Sequence, residues 1–419
     1  MTDTGRTTEG FDEIYTRSLD CVHCGLCLQA CPTYRETGRE TSSPRGRVYL
    51  LRGVAEGHFE LSDVVSQEVY LCLDCRACET ACPSGVRVGS LIELARAEVE
   101  RAGSQRGWRK QLERFGLRGI LPHRSRLHVL MGLLATAQRL RLDRAVALAL
   151  PRRLRDMMEL LPRVPAAAER AALPEFVPAE GERRGRVGFF VGCVMPELFG
   201  AVNAATVRVL ARNGFDVVIP SRQGCCGALH AHAGDRDFAC ELARTNAVVF
   251  DAAAVDAIVV NSAGCGAAMR ESPDWLGVEA DAFAGRVYDV SEFLDKQGLR
   301  EPDVRLDATV CYDDPCHLVH GQGVADAPRR LLARIPGLTL QAHEDPTSCC
   351  GAAGIYNLTH PEMSRAVLDH KLAALAEAAP DIITSGNPGC LMQLESGARR
   401  SGLAARVVHP IVLLDEAYL

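Results

Sequence analysis

The sequence predicts an α-helical domain followed by two duplicated α/β domains with parallel sheets, a fold class of α + α/β. Three observations support this prediction. Two cysteine runs lie in a helix-patterned stretch near the start of the 419 residues. A second self-similarity, with an offset of 123 to 125 residues, relates two later segments. Within each of these segments strand-like and helix-like stretches alternate, and alternation of this kind builds a parallel sheet.

The two N-terminal cysteine runs share the spacing C-x2-C-x2-C-x3-C-P and lie 51 residues apart. Zinc rarely uses four thiolates at these steps twice over, and disulfides would require an oxidising compartment. Thiolates at this spacing suit cubane clusters, so the sequence predicts two [4Fe-4S] clusters. The cysteines of the two runs are Cys21, Cys24, Cys27 and Cys31, then Cys72, Cys75, Cys78 and Cys82.

This spacing resembles that of two-cluster ferredoxins, in which three cysteines of a run hold one cluster and the fourth reaches the other. Spacing alone leaves open that each run closes its own cluster. The resemblance implies crossed ligand sets, with Cys21, Cys24, Cys27 and Cys82 on one cluster and Cys72, Cys75, Cys78 and Cys31 on the other.

The residues around the two runs are patterned for helices. Apolar residues between Phe11 and Leu19 recur at helical intervals. Pro44 opens an amphipathic stretch that reaches Arg52, as proline often does in a first helical turn. Further helices are expected over 62–71 and 89–102. Residues 1–100 are therefore predicted to form an α-helical ferredoxin domain.

Residues 101–170 are strongly basic, with 16 Lys and Arg against 5 Asp and Glu. One interpretation is a solvated helical linker, residues 101–184, whose arginine stems lie over apolar surface. The other is a surface helix that docks on an acidic partner or on anionic lipid. On the second interpretation, reversing the charge of Arg152, Arg153 and Arg155 would weaken the attachment.

Bulk properties narrow the function class. The net charge of −6 argues against a general nucleic-acid binder. The 18 cysteines, many in ligand-like motifs, favour a reducing compartment. Neither an apolar leader nor a run of 18 apolar residues is visible. We therefore expect a cytoplasmic protein, and peripheral contact with the inner face of the cell membrane stays open.

The second repeat divides the remaining chain into domains at 185–300 and 301–419. Its cysteines pair as Cys193 with Cys316, Cys225-Cys226 with Cys349-Cys350, and Cys265 with Cys390. The cysteines fall just after the predicted strands, where sites in open α/β sheets gather, so those of one half should converge. Strands are expected at 186–191, 216–219 and 257–260 in the first half, and near 308–312, 338–341 and 381–384 in the second.

Each half contains a Cys-Cys-Gly triplet that resembles the CCG cysteine-rich domain of heterodisulfide reductase and its relatives. In that family a closing C-x-x-C completes five ligands for a non-cubane [4Fe-4S] cluster. Here Ser262 and Asn387 stand where its first cysteine would be, which leaves four thiolates in each half. Degenerate, metal-free motifs are the alternative to a further cluster or a zinc.

The second half is the stronger candidate for a further metal site. Its candidate ligands are Cys316, Cys349, Cys350 and Cys390, with Cys311 as a fifth. The weaker candidate set in the first half is Cys193, Cys225, Cys226 and Cys265. Nearby His230 and His232 are expected to be ordinary surface or loop histidines.

Taken together, these parts resemble the iron–sulfur subunit of glycolate oxidase (glycolate dehydrogenase) over nearly the whole chain. The resemblance is most specific over residues 313–322, 349–357 and 386–390. It implies an oxidoreductase complex in which two FAD-containing dehydrogenase subunits oxidise glycolate and related 2-hydroxy acids. This chain would be the non-flavin subunit, without catalytic residues of its own, and would pass electrons to a quinone-type or other acceptor.

The absence of a G-x-G-x-x-G after a strand, and of a P-loop, agrees with this role, since neither flavin nor NAD is expected on this chain. Two other functions stay open. One is a heterodisulfide-reductase-like thiol/disulfide redox subunit, against which the missing fifth cysteines weigh. The other is the iron–sulfur subunit of an anaerobic glycerol-3-phosphate dehydrogenase.

Overall fold

A computed structural model of the protein describes residues 9–103, 107–142 and 163–418. A helical N-terminal part is followed by two α/β units, so the predicted fold class is confirmed. The predicted domain boundaries stay a prediction. The basic patch at 151–155, with Arg152, Arg153 and Arg155, lies outside the described residues.

The helical part places the cysteine runs in the connections between short helices, except that Cys78 lies within the four-residue helix Ala77–Thr80. Ser43 Oγ accepts the backbone N–H of Gly46 at 3.0 Å and so caps α3, which begins at Pro44 as the sequence predicts. Ile14 and Leu91 are fully buried where α1 packs against α6. The helices are α1 (Glu9–Ser18), α2 (Pro32–Thr37), α3 (Pro44–Ala55), α4 (Asp63–Leu71), α5 (Ala77–Thr80) and α6 (Val88–Ala102).

The basic segment is helical over most of residues 107–139, as predicted, whereas the described residues 163–184 of the predicted helical linker form no helix. It contains α7 (Trp108–Arg114), a π-helical turn (Phe115–Ile120) and α8 (Arg124–Arg139). No helix among the described residues combines the length and apolarity that a membrane crossing requires.

The first α/β unit has a five-stranded sheet in the order β1-β3-β2-β4-β5. Its strands are β1 (Phe176–Val177), β2 (Gly185–Phe190), β3 (Phe215–Val218), β4 (Ala257–Val260) and β5 (Val287–Asp289). All neighbours are parallel except β1, which pairs antiparallel with β3. The sequence did not predict β1 or β5, because strands of two and three residues are too short to show a period.

The second α/β unit has a four-stranded, wholly parallel sheet in the order β7-β6-β8-β9. Its strands are β6 (Ala308–Tyr312), β7 (Leu338–Leu340), β8 (Ile382–Thr384) and β9 (Arg406–Val408). Both sheets therefore share the strand order second-first-third-fourth, with β1 added to the first sheet. The common order supports a duplicated unit.

Helices cover both sheets. In the first unit they are α9 (Met195–Leu198), α10 (Gly200–Arg212), α11 (Ala228–His232), α12 (Arg236–Ala252), α13 (Ala263–Arg270), α14 (Ser272–Leu276), α15 (Asp281–Ala284) and α16 (Val290–Gln297). In the second they are α17 (Cys316–Val319), α18 (Ala327–Leu332), α19 (Tyr356–Thr359), α20 (Pro361–Ala378), α21 (Pro388–Ser401) and α22 (Pro410–Glu416).

The two α/β units share one hydrophobic core. Phe189 and Val259 of the first sheet belong to the same buried cluster as Val310 of the second sheet and Leu413 of α22. Helix α10 packs against α22, and α16 packs against α18, so each unit supplies helices to the junction. Because the apolar area that stabilises each unit is buried against the other, we expect the two units to unfold together.

His409 joins the two units through a buried polar contact. Its Nδ1 accepts the backbone N–H of Ile411 at 3.1 Å, and its Nε2 donates to the carbonyl of Asn261 in the first unit at 3.0 Å. This pattern requires the neutral imidazole. Burial lowers the pKa of His409 from 6.5 to about 4.

We predict that His409 makes stability fall as the pH drops from 6.5 towards 4. Between these pH values the His409 imidazole is protonated in the unfolded chain but stays neutral in the folded chain. The free energy of unfolding therefore decreases, by up to about 3 kcal/mol. Above pH 6.5 the contribution is constant.

His409→Asn, which keeps an acceptor for the cap, should flatten this part of the pH profile in urea unfolding followed by circular dichroism. His370→Asn, at an exposed site in the same unit, should leave the profile unchanged. A profile that is equally steep in His409→Asn and in the wild type would contradict the assignment.

Candidate iron–sulfur sites

One cavity in the helical part is lined by the four cysteines of the first crossed set. Cys21, Cys24, Cys27 and Cys82 all border it, so the fourth cysteine of the second run lies with the first three of the first run, and Cys78 of the second set borders it as well. Burial raises the pKa of Cys27, and the Cys21 and Cys82 sulfurs add to the rise. The chain thus forms a thiol-lined cavity at the place where the sequence predicts a cluster.

The four cysteines of the second crossed set also lie together. Burial raises the pKa of Cys78 well above its ordinary value, and the sulfurs of Cys75, Cys72 and Cys31 contribute. Cys75, Cys78 and Cys31 are buried, whereas Cys24 of the first set is exposed. The second site is therefore the more enclosed of the two.

The loops that carry the cysteines adopt the same backbone twice. His23 and Gly25 have positive φ angles of 57° and 85°, and their counterparts 51 residues later, Asp74 and Arg76, have 52° and 63°. Left-handed residues let a short loop turn its peptide groups towards a centre, and the Asp74 N–H lies 3.4 Å from Cys72 Sγ. Four thiols and inward amide donors fit a [4Fe-4S] cluster. The assignment of individual ligands remains a proposal.

A buried arginine accompanies the second set. Arg47 lies with its Nη1 4.0 Å from Cys31 Sγ, and its Nε donates to the Glu68 carbonyl at 2.7 Å. Burial works to lower the pKa of Arg47, but the sulfurs of Cys72 and Cys31 outweigh it and raise that pKa. A fixed positive charge at this position stabilises negative charge on the neighbouring sulfurs.

The cysteines of the first α/β unit converge at the carboxyl ends of its strands. Cys193 follows β2 and Cys265 follows β4, the two strands between which the strand order reverses. This switch point is where open α/β sheets bind ligands. Cys193 and Cys225 Sγ lie 3.5 Å apart. The pKa of Cys225 is well below its ordinary value because Cys193, Cys226 and His230 hydrogen-bond to its sulfur.

The second α/β unit repeats this arrangement with Cys316, Cys349, Cys350 and Cys390, all buried. The pKa of Cys350 is raised well above its ordinary value, chiefly through the hydrogen bond with Cys349. Cys311, the candidate fifth ligand, lies on β6 among the apolar side chains that α20 and α21 bury. Burial and then Asp313 raise its pKa to about 11.

The thiol spacing bears on the choice of metal. A tetrahedral zinc with bonds of about 2.3 Å would hold its four sulfurs roughly 3.8 Å apart. Within the described ranges no three thiols lie within 4.8 Å of one another. All 18 cysteines are free, so no disulfide competes for them. The four thiols of each set are therefore spread more widely than the ligands of a formed zinc site, apart from the 3.5 Å contact between Cys193 and Cys225.

The second cysteine set of the helical part touches the cysteine set of the second α/β unit. Cys75 hydrogen-bonds to Cys349, which lowers the pKa of Cys75. Both belong to one buried cluster with Cys316 and Tyr356. The Tyr356 hydroxyl donates to the Leu71 carbonyl at 2.8 Å and holds the two elements together. Thiols from the two predicted sites are therefore in direct contact.

A buried ion network joins the helical part to the first α/β unit. His232 Nδ1 lies 3.0 Å from a carboxylate oxygen of Asp74 and 3.3 Å from one of Glu93. Burial works to lower the pKa of His232, but the hydrogen bonds and charges of Asp74 and Glu93 together outweigh it and raise that pKa to about 9. Arg76 pairs with Glu93 and Glu271 in the same network. Because His232 is protonated at neutral pH, this group is an ion-pair cluster rather than a cation site.

The expectation that His230 and His232 are ordinary surface or loop histidines is wrong. His230 is completely buried, and its Nε2 lies 2.9 Å from the Leu117 carbonyl. Its other nitrogen faces Cys225, whose sulfur helps raise the pKa of His230 against the effect of burial. A pair of histidines just after Cys-Cys-Gly does not reveal by itself that both face buried partners on other elements.

Asn387, which stands in the place of a missing cysteine, has a structural role. Its Oδ1 accepts the Gly264 N–H at 3.1 Å, and its Nδ2 lies 3.5 Å from Cys390 Sγ. The side chain therefore links the two α/β units and donates to a candidate ligand. An amide here fits four thiolates in the second unit rather than five.

Comparisons with known proteins identify both kinds of cysteine-rich region and relatives of the whole chain. Residues 17–86 match the family model "4Fe-4S dicluster domain", and residues 187–270 and 310–395 match "Cysteine-rich domain". The chain is 39% identical to the probable glycolate oxidase iron–sulfur subunit of Bacillus subtilis, over 95% of this chain and 94% of that protein. It is 34% identical to the glycolate oxidase iron–sulfur subunit of Escherichia coli, over 95% and 93%. One component of the dihydromethanophenazine:CoB–CoM heterodisulfide reductase of Methanosarcina acetivorans is 26% identical, over 98% and 96%.

We predict that pairs of cysteine substitutions will distinguish crossed from separate ligand sets. Cys82→Ser with Cys21→Ser should lower iron by about four atoms per chain, as each single substitution does, because both remove ligands of one cluster. Cys82→Ser with Cys72→Ser should lower it by about eight. Iron and visible absorbance would be measured on protein purified without oxygen. Separate sets would reverse these two results.

Cys240→Ser is the matched control for this experiment. Cys240 is a partly buried thiol whose Sγ contacts the Trp275 carbonyl, and it belongs to none of the four cysteine sets. Its substitution should leave the iron content unchanged.

Proposed function

The chain belongs to the family of glycolate oxidase iron–sulfur subunits, and from this premise we propose that it carries electrons within a flavin-dependent 2-hydroxy-acid dehydrogenase complex. The donor would be glycolate or a related 2-hydroxy acid, oxidised on two FAD-containing partner subunits. The acceptor would be a quinone or a similar carrier. This chain would supply no catalytic residue to the oxidation itself.

The observation that carries the proposal is the succession of thiol clusters through the molecule. Cys21, Cys24, Cys27 and Cys82 would hold the first [4Fe-4S] cluster, and Cys72, Cys75, Cys78 and Cys31 the second. Such clusters supply one-electron chemistry, and the protein's part is to hold them in line. The contact between Cys75 and Cys349 continues the line into the second α/β unit. There, Cys316, Cys349, Cys350 and Cys390 would hold a further cluster.

The exposed edge of the first site suits a flavoprotein partner. Cys24 is exposed, and the flanking Val22 and Leu26 are 69% and 62% exposed. Leu19 and Tyr49 are also exposed large apolar side chains of this region. Clusters of exposed apolar residues of this kind mark interaction sites. We assign this apolar patch, Leu19, Val22, Leu26 and Tyr49, to the docking of the electron-donating flavoprotein.

A thiol/disulfide redox function is the second candidate, favoured by the likeness of the whole chain to a heterodisulfide reductase component. It would require a metal site that also binds a thiol substrate. Ser262 and Asn387 remove one candidate ligand from each half, and Asn387 is committed to Gly264 and Cys390. We therefore prefer the electron-transfer function. Glycerol 3-phosphate is the third donor to be tested.

We predict that glycolate will bleach the visible iron–sulfur absorbance of the complex isolated through this chain without oxygen. The flavin subunits would oxidise glycolate and pass the electrons here, while thiols and glycerol 3-phosphate would leave the absorbance unchanged. Bleaching by glycerol 3-phosphate or by thiols alone would contradict the proposal and favour one of the other two functions.

Leu26→Glu is predicted to abolish bleaching by glycolate but not bleaching by dithionite. A charge within the apolar patch would prevent docking, whereas the cavity of the first site, which Leu26 does not line, would be kept. Val278→Glu is the matched control, since Val278 is exposed and lies in the first α/β unit, away from the cysteine runs. If Leu26→Glu copurifies with flavin and responds fully to glycolate, the patch is not the docking site.

A further inference from the structure

A large cavity separates the basic helical segment from the second α/β unit. Its volume is about 1770 Å³. One wall is formed by Trp108, Leu112 and Leu130 of α7 and α8, and the opposite wall by Ile355 and Met363. The lining is predominantly apolar, which is typical of sites for small organic ligands.

At its inner end this cavity adjoins a smaller pocket of about 170 Å³. Glu113, Leu229 and Ile355 line both, as do Thr359 and His360. The inner pocket reaches Cys72, a cysteine of the second crossed set. A ligand there would lie directly beside the predicted second cluster.

The inner pocket is lined by polar groups held in place by fixed contacts. Lys110 Nζ lies 2.7 Å from Glu100 and 2.9 Å from Glu113. The Tyr70 hydroxyl donates to Glu100 at 3.0 Å. The His360 ring stacks on Tyr356 with centroids 4.6 Å apart. An ammonium and an imidazole can donate hydrogen bonds to carbonyl oxygens, and the flat rings suit a planar ligand.

The outer rim of the cavity is apolar and basic. Trp108 and Leu112, which line it, are 70% and 60% exposed, and Phe115 and Leu133 nearby are also exposed. Residues 107–142 carry eight Lys and Arg against one acidic residue. An amphipathic surface with tryptophan, leucine and many cations is suited to the interface of an anionic membrane. A lipophilic ligand could therefore enter from a bilayer.

From these features we propose that the two connected cavities form a binding site for a lipophilic quinone. The ring would occupy the inner pocket beside Cys72, with its carbonyl oxygens near Lys110 and His360. The tail would follow the apolar channel and leave between Trp108 and Leu112. The inference rests on the proposed electron-transfer function and names the site of its acceptor.

The chemistry balances as Q + 2 e⁻ + 2 H⁺ → QH₂. The quinone is reduced, and the two electrons come from oxidation of the 2-hydroxy acid elsewhere in the complex. The protons come from water through Lys110 and His360 at the pocket wall. No other oxidant or reductant is needed.

The test is photoaffinity labelling of the purified complex with an azidoquinone that carries a decyl tail. Label should appear in peptides covering 107–130 and 353–365, and unlabelled decylquinone should compete for it. Gly116 lines the cavity, and a Cβ placed there meets no atom within 4 Å. Gly116→Trp should therefore fill the channel and reduce labelling by about tenfold or more, as the loss of a favourable site would.

Gly132→Trp is the matched control, because a Cβ at Gly132 of α8 also meets no atom within 4 Å and Gly132 does not line the cavity. It should label like the wild type. Equal labelling of the two variants, label in other peptides, or no specific labelling of the wild type would each overturn the proposal. Glycolate should still bleach the absorbance of Gly116→Trp. Loss of that response in the wild type as well would count against the electron-transfer function instead.

Discussion

The docking of the helical part on the first α/β unit depends on a network of buried charges beside the second cysteine run. Asp74, Glu93 and Arg76 of the helical part meet His232 of the first α/β unit away from water. A buried charge is tolerated only when it is paired, and removal of one partner typically costs about 3–5 kcal/mol. Asp74 and Arg76 lie between cysteines of the second run. Docking of the helical part and the local shape of a cysteine loop therefore depend on the same side chains.

The duplicated α/β unit explains why two sets of four thiols exist and why they differ. The same strand order brings each set to the switch point of its sheet. The thiol set of the second α/β unit touches the helical part, because Cys349 contacts Cys75. The thiol set of the first α/β unit is linked to the basic helical segment by His230, which lies between Cys225 and the Leu117 carbonyl. The same fold therefore places one thiol set in contact with a cysteine of the helical part and the other beside a buried histidine.

Local sequence patterns predicted the helix that begins at Pro44 and the strands Ala257–Val260 and Ala308–Tyr312. These elements could be predicted because each forms from residues that are close together in the sequence. The edge strand Phe176–Val177 was missed, since its pairing is decided by β3 far along the chain. His232 was misjudged for a similar reason: its partners, Asp74 and Glu93, are more than 130 residues away in sequence. Arg47 also could not be picked out from the sequence, because its burial beside Cys31 is a property of the packed structure.

The burial of the second crossed set of the helical part affects when a cluster could be delivered to its cysteines. Cys75 and Cys78 are buried, and Cys75 is covered by Cys349, which is synthesised long after it. Cys75 and Cys78 would therefore be more accessible to an iron–sulfur carrier before the second α/β unit docks than in the finished fold. Cys24, by contrast, stays open to solvent in the finished fold. A cluster held by these cysteines would therefore be easier to assemble before the second α/β unit docks, and harder to repair afterwards than one held by the set that contains Cys24.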